Sequence, residues 1–310
     1  MLFSVIIPTF NRAALLREAL DSVFAQTFTD FELIVVDDGS TDDTPAVIAG
    51  YGECIRFFRQ ENGGPGAARN LGIQNASGEY VAFLDSDDVW FPWTLAGYHE
   101  AIQRCGRPGF IAGNCLKFTQ SGELKAAEQT GLRHELFSDY YAAWQRNIDI
   151  VGCGVVVRAA VIAETAGFLN GMVNAEDSDM WMKLGTVSGF AHLTEPDVFG
   201  YRETPASVSK TGAKTAAGIR QMVSFEKAGA YPGGISRRWE RWQILTRHVR
   251  PASLGCLKEG NWRDAWWLYR QSLWWHVSLG RLRYLAVMPF LCLQKRLLNG
   301  AVTRKRETTL

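Results

Sequence analysis

The chain has 310 residues, 47% of them apolar and 21% charged, with a formal net charge of +1. That is enough apolar material to bury a large core in one domain, or in one domain plus a smaller unit, and it excludes a highly charged disordered segment. No run of about 18 apolar residues occurs, which excludes a simple membrane-spanning helix. Six cysteines (Cys54, Cys105, Cys115, Cys153, Cys256, Cys292) form no C-x-x-C pair and have no histidine at zinc spacing, so they read as buried thiols of a reducing compartment. The N-terminus opens directly on a strand-like run, with no basic stretch and long apolar core of a signal peptide, and a cytoplasmic location is expected. The small net charge conceals an asymmetry. Residues 1–230 hold 18 Lys and Arg against 28 Asp and Glu, whereas residues 231–310 hold 15 against 4. Two units with different partners are expected, a domain over residues 1–225 and a basic region over 226–310 that favours an anionic surface.

Taken in order, S-V-I-I-P (4–8) reads as a short buried strand, and Asn11 is placed to cap a helix whose Leu15, Leu16, Ala19, Leu20 and Val23 fall at helical spacing. E-L-I-V-V (32–36) is a second strand running into Asp37 and Asp38, and residues 42–49 continue as a helix. A third strand (55–58) precedes N-G-G-P-G (62–66) and a helix over 67–75. A fourth, Tyr80 to Leu84, runs into the carboxylates Asp85, Asp87 and Asp88. Four strands alternating with three helices predict an α/β fold, a mostly parallel, doubly wound, Rossmann-like sheet followed by a C-terminal α-helical region. In such a sheet ligands bind beyond the carboxyl ends of the strands, where Pro8 to Asn11, Asp37 and Asp38, Asn62 to Arg69 and Asp85 to Asp88 all fall. G-P-G-A-A-R (64–69) lacks the third glycine of a dinucleotide fingerprint and contains a proline, which argues against a nicotinamide site. Carboxylates one residue apart at a strand tip suit Mg²⁺ or Mn²⁺, with a substrate diphosphate completing the coordination.

Four segments in this order, S-V-I-I-P-T-F-N-R (4–12), V-V-D-D-G-S-T-D-D-T (35–44), N-G-G-P-G-A-A-R-N-L-G (62–72) and Y-V-A-F-L-D-S-D-D (80–88), resemble the nucleotide-sugar domain of family-2 inverting glycosyltransferases of GT-A fold. The resemblance covers roughly residues 1–210. It implies that Pro8, Thr9, Asn11 and Asp38 hold the nucleobase and that Arg69 lies by the nucleotide. Asp85 and Ser86 would face the donor, with Asp87, joined by Asp85, holding the metal. Asp37 is expected to bond within its own turn. A carboxylate that accepts from an imide N–H reads uracil or thymine, hence a leaning to UDP-sugars.

The reaction also needs a base for the acceptor hydroxyl. N-A-E-D-S-D-M-W (174–181) opens a helix, and acids at such a terminus can simply offset the helix dipole. Its resemblance to the family's acceptor-side E-D motif implies Asp177 as general base, Glu176 as an orienting group, Asp179 as a second candidate for the base and Trp181 as an acceptor platform. An indole on an amphipathic helix can equally be core. Residues 203–212 are expected to close over the diphosphate, with Arg202 or Lys210 on phosphate. Glu203 and Thr204 stand where many relatives carry a histidine, which leaves no histidine there as a third protein ligand for the metal.

After residue 230, seven tryptophans alternate with arginines, and Tyr284 to Leu293 form an apolar run flanked by Arg281, Arg283, Lys295 and Arg296. Two readings stand here, a helical bundle with a basic face and a peripheral helix at an anionic membrane. The expected function is transfer of a sugar from a nucleoside-diphosphate sugar to a hydroxyl of a saccharide or lipid-linked saccharide, in bacterial surface polysaccharide synthesis at the inner face of the cell membrane. The competing reading from another class is a catalytically silent nucleotide-sugar-binding or scaffold subunit. No nucleic-acid motif accompanies the basic residues.

Overall fold

The computed structural model describes residues 1–148, 150–171, 174–203 and 212–307. The chain divides into two compact units, Met1–Met172 with Glu176–Pro205, and Val173–Ala175 with Ala206–Leu310. The boundary therefore falls near residue 205, about twenty residues before the expected position.

The first unit is built from β1 (Phe3–Thr9), α1 (Ala13–Phe24), β2 (Phe31–Asp37), α2 (Thr44–Ala49), β3 (Arg56–Arg59), α3 (Pro65–Gln74), β4 (Tyr80–Phe83), β5 (Val89–Trp90), α4 (Thr94–Arg104), β6 (Phe110–Gly113), β7 (Cys115–Phe118), β8 (Arg133–Phe137), β9 (Val155–Arg158), α5 (Ala159–Ala163), α6 (Glu176–Lys183), β10 (Phe190–Glu195) and β11 (Phe199–Arg202). Eight strands form one sheet in the order β3-β2-β1-β4-β9-β6-β10-β8, and β5-β11-β7 form a small second sheet. In the large sheet, β1 pairs in parallel with β2 and β4, β2 with β3, and β6 with β10. β9 is inserted antiparallel between β4 and β6, and β8 closes one edge antiparallel to β10. Because β9 reverses twice, β6 and β10 run in the same direction as β4. Their carboxyl ends share one edge of the sheet.

Both faces of the central strands are covered, as continuous Val/Ile runs require. Val5, Ile7, Leu33 and Val35 belong to one core, with Leu16, Leu20 and Tyr98 from the helices. Ile6, Ile34 and Val36 belong to the other, with Ala68, Met180 and Trp181. Asn11 does not cap α1. Arg12 occupies the N-cap position, while Asn11 takes a left-handed backbone (φ 50°) and its Oδ1 accepts from the amide of Thr41 at 2.8 Å. It clamps the loop after β1 to the loop after β2 instead.

The second unit comprises α7 (Gly212–Lys227), α8 (Arg238–Lys258), α9 (Trp262–Ser278) and α10 (Leu282–Glu307). Its core gathers Ala216, Cys256, Ala265, Tyr269, Tyr284, Met288 and Cys292. Several tryptophans serve this unit internally. Trp242 stacks on Trp275, with ring centroids 6.1 Å apart, and Trp267 lies under the Arg220 guanidinium at 4.4 Å. Among the described residues no helix is long and apolar enough to cross a membrane. The expectation of buried thiols holds for Cys153, Cys256 and Cys292; Cys54 is exposed and Cys105 and Cys115 are half-buried.

Candidate active site

The carboxyl edge of the large sheet brings the expected segments together. Pro8 and Thr9 end β1, both buried. Asp37 ends β2 and accepts the amide of Ser40 at 2.9 Å, bonding within its own turn as its sequence context suggests. Asp38, expected against the nucleobase, is directed elsewhere. It is buried, and its carboxylate accepts from Gln60 Nε2 (2.7 Å) and from the amides of Gly63 and Gly64 (2.8 Å each). Three of its acceptor sites are thereby used to hold the N-G-G-P-G loop. Gly64 has φ 87°, which a side chain would strain, and a Cβ on Gly66 would stand 1.9 Å from the Leu169 carbonyl oxygen. Those two glycines let α3 start where it does.

α3 delivers Arg69, and this arginine organises the site. It is buried, lies over the Phe168 ring at 5.4 Å, and donates through Nη1 to Glu176 Oε1 at 2.8 Å and through Nη2 to Asp85 Oδ1 at 2.7 Å. One guanidinium thus joins the acid loop after β4 to the first turn of α6, 107 residues away in sequence.

Negative charge nevertheless stays in excess here. Asp85, Asp87, Glu176 and Asp177 share two guanidinium groups, Arg12, which pairs with Asp87, and Arg69, which pairs with Asp85 and Glu176. Burial pushes the Asp85 carboxyl up, but the charge and hydrogen bond of Arg69 bring it below the ordinary carboxylate range. Asp87 is raised by burial and by the charge of Asp85. Asp88 is raised to about 8 by burial and the same neighbour. Glu176 is raised by burial against the pull of Arg69, and Asp177 by burial likewise.

This surplus is what a divalent cation relieves, so the residues fit a hard ion. Ligand atoms of Asp85, Asp88 and Cys153 lie within 4.8 Å of one another. Two of the three are poor hard-ion ligands. The Cys153 thiol donates to Asp88 Oδ2 at 2.7 Å, and burial keeps it protonated; Asp88 also accepts the Arg202 amide at 2.8 Å. The half-buried Asp85 and Asp87 remain as the oxygen donors suited to a cation, with Ser86 buried between them.

Asp177 lies in the first turn of α6, two residues after Ala175, whose φ of 78° is uncommon for a residue with a side chain. Its Oδ1 accepts from the Ser178 amide at 2.6 Å. Asp179 does not share this setting. It is fully buried and paired with Lys183 at 2.6 Å, one helical turn on, so its charge is already engaged. Trp181 is core rather than an acceptor platform, because its ring is 2% exposed, stacked on Phe110 and edge-on to Phe168. Arg202 is likewise committed, to the Asp87 carbonyl, to Glu18 and to the face of Phe118, and is not free for phosphate. Lys210 and the segment expected to close over the diphosphate lie outside the described residues, apart from Glu203 and Gly212. Arg12, Asp88 and Cys153 had no role assigned from sequence. Arg12 and Asp88 sat inside the quoted motifs, whereas nothing in G-C-G (152–154) signalled a partner for Asp88.

The family model described as glycosyl transferase family 2 matches residues 4–163. An uncharacterized glycosyltransferase of Rickettsia felis is 32% identical over 194 residues, 59% of this chain and 31% of that protein. The GalNAc(5)-diNAcBac-PP-undecaprenol beta-1,3-glucosyltransferase of Campylobacter jejuni is 41% identical over 139 residues, 43% of this chain and 44% of that one. The chain thus spans less than two thirds of these curated relatives. Among solved structures, S. aureus TarS 1–349 in complex with UDP superposes with a TM-score of 0.64 at 21% identity, covering 88% of this chain and 81% of that TarS 1–349 chain. The mannosyltransferase PcManGT from Pyrobaculum calidifontis, in complex with GDP-Man and Mn²⁺, superposes with a TM-score of 0.56 at 19% identity, covering 97% and 86%. At these identities the structures establish a shared fold.

Proposed function

The chain belongs to glycosyl transferase family 2, and from that premise we propose that it moves a sugar from a nucleoside-diphosphate donor, UDP-sugars favoured, to a hydroxyl of a saccharide or lipid-linked saccharide, with inversion at the anomeric carbon. The observation that carries this reading is the Arg69 bridge, which holds the acid loop and the first turn of α6 on one guanidinium. The acceptor oxygen attacks the anomeric carbon, Asp177 takes its proton, and the bond to the diphosphate oxygen breaks. A single displacement of this kind inverts the centre. A carboxyl raised by burial is better matched to receiving that proton near neutral pH. Glu176, fixed by Arg69, orients the turn that carries the base. Asp85 and Asp87 would hold a divalent cation, which when bound would supply charge neutralisation for the departing diphosphate. Asp38 positions the loop preceding α3. The Campylobacter relative, whose name specifies a polyprenyl-linked acceptor, supports a lipid-linked saccharide as the acceptor.

Calorimetric titration with UDP, GDP and dTDP, each with and without Mn²⁺, tests this reading. UDP is expected to bind with metal, and Asp87→Ala to lose at least about tenfold of that metal-dependent affinity. Binding of none of the three would sink the transferase reading and favour a scaffold. A metal effect unchanged in Asp87→Ala would remove the cation assignment.

A further inference from the structure

α10 is apolar on two faces. Tyr284, Met288 and Cys292 point into the core of the second unit, with Leu285 and Leu291 packed beside them. On the outer side, Leu282, Phe290 and Leu297 leave 72%, 68% and 65% of their surface in solvent, and Leu293 leaves 54%. Positions 282, 290, 293 and 297 recur at helical spacing and form one stripe. Just before the joint at Gly280, Trp274 and Val277 are exposed as well. A helix apolar on two faces needs cover on both, and the second unit supplies it on one.

The surroundings of the stripe carry a charge that names the missing partner. Arg281 and Arg283 stand at one end, Lys295 and Arg296 at the other. Of the few acids beyond residue 230, Glu240 pairs with Arg237 and Asp264 with Arg220. Arg281 donates to Gln243 Oε1 at 2.9 Å, and among the described residues no carboxylate pairs with it. Burial, then the neighbouring Arg250 and Arg247, pull its pKa down to about 10. A second copy docked on this face would bring two basic rims together, which like-charge repulsion opposes.

We infer that the outer face of α10, from Leu282 to Leu297, docks on an anionic lipid bilayer, lying in its plane with the stripe in the acyl boundary and the exposed Arg283 and Arg296 among headgroup phosphates. The site is separate from the transfer chemistry and goes beyond it. Were the acceptor lipid-linked, docking would hold the enzyme on the surface that carries it.

Co-sedimentation of the full chain with phosphatidylcholine vesicles, with and without phosphatidylglycerol, tests the inference. Wild type is expected to bind at least about tenfold tighter to the anionic vesicles. Phe290→Ser with Leu293→Ser, both at exposed positions, should lose roughly tenfold or more. Arg283→Gln with Arg296→Gln, both at exposed positions, should lose about fivefold per arginine and most of the lipid preference. Thermal unfolding and UDP titration serve as controls, so a failure of docking is read apart from a failure of donor binding. Wild-type indifference to phosphatidylglycerol, or vesicle binding unaltered in either double variant, would overturn the inference. So would sedimentation showing a dimer that Phe290→Ser with Leu293→Ser dissolves, since the face would then belong to a second copy.

Discussion

Arg69 in the first unit and Arg241 in the second are both buried arginines paired with acids, and the difference between them separates a site from a scaffold. Arg241 meets Glu226 through two hydrogen bonds, 2.7 and 3.2 Å, and spends its remaining Nη1 protons on the carbonyls of Pro232 and Gly234. Glu226 also accepts from the Trp242 indole at 2.9 Å. Charge there is balanced one to one. Arg69 sits instead between two carboxylates with three more nearby, and its Nε has no hydrogen-bond partner. A buried charge network left out of balance is costly to a fold, and such imbalance is found where a ligand completes it.

The largest effect expected from breaking this contrast is catalytic. Asp177→Asn should leave UDP binding intact and lower transfer by roughly 10² to 10⁴. Near-normal turnover, measured as diphosphate release with acceptor present, would shift the role of base to Glu176. On the balanced side, Arg241→Met leaves Glu226 buried and unpaired and should cost about 3–5 kcal/mol in urea unfolding. Removing both charges, Arg241→Met with Glu226→Leu, should recover most of that loss. If the double variant is no more stable than the single one, the pair is not the balanced unit described.

The smallest effect is a pH slope from His276. It is fully buried against Tyr284, and neither ring nitrogen has a hydrogen-bond partner. Burial, then Arg281 and Arg250, depress its pKa to about 3. On acidification the unfolded chain takes up a proton near the ordinary value of 6.5, while the folded protein refuses it until about 3. Its contribution is therefore complete above that ordinary value and is lost as pH falls through the window, by at most about 1.4 kcal/mol per pH unit. Urea unfolding of wild type and His276→Phe across this window should give a flatter profile for the variant. Parallel profiles would assign the acid sensitivity elsewhere.

Much of the first unit was legible because its leading strands are continuous Val/Ile runs, buried on both faces, each followed by polar residues that a parallel sheet must gather on one edge. The positions of Asp37, Arg69 and Asp85 on one edge follow from that pattern, whereas Asp177 was singled out only by the family resemblance. The far half was not legible for a physical reason. β6, β7 and β9 are four residues long, β8 is half-exposed, and their pairing depends on partners up to 84 residues away, which no local period records. Partner choice was equally hidden. Sequence spacing could not tell that Asp38 would accept three loop donors, that Lys183 would neutralise Asp179, or that Trp181 would close on Phe110 rather than face an acceptor.

The C-terminal residues divide in the same way. Composition by itself determined that this region is basic and rich in tryptophan, because those are sums over residues. Which tryptophans fill the bundle and which apolar face of α10 stays bare was decided only by tertiary packing, since a helix with two apolar faces can offer either until its neighbours take one.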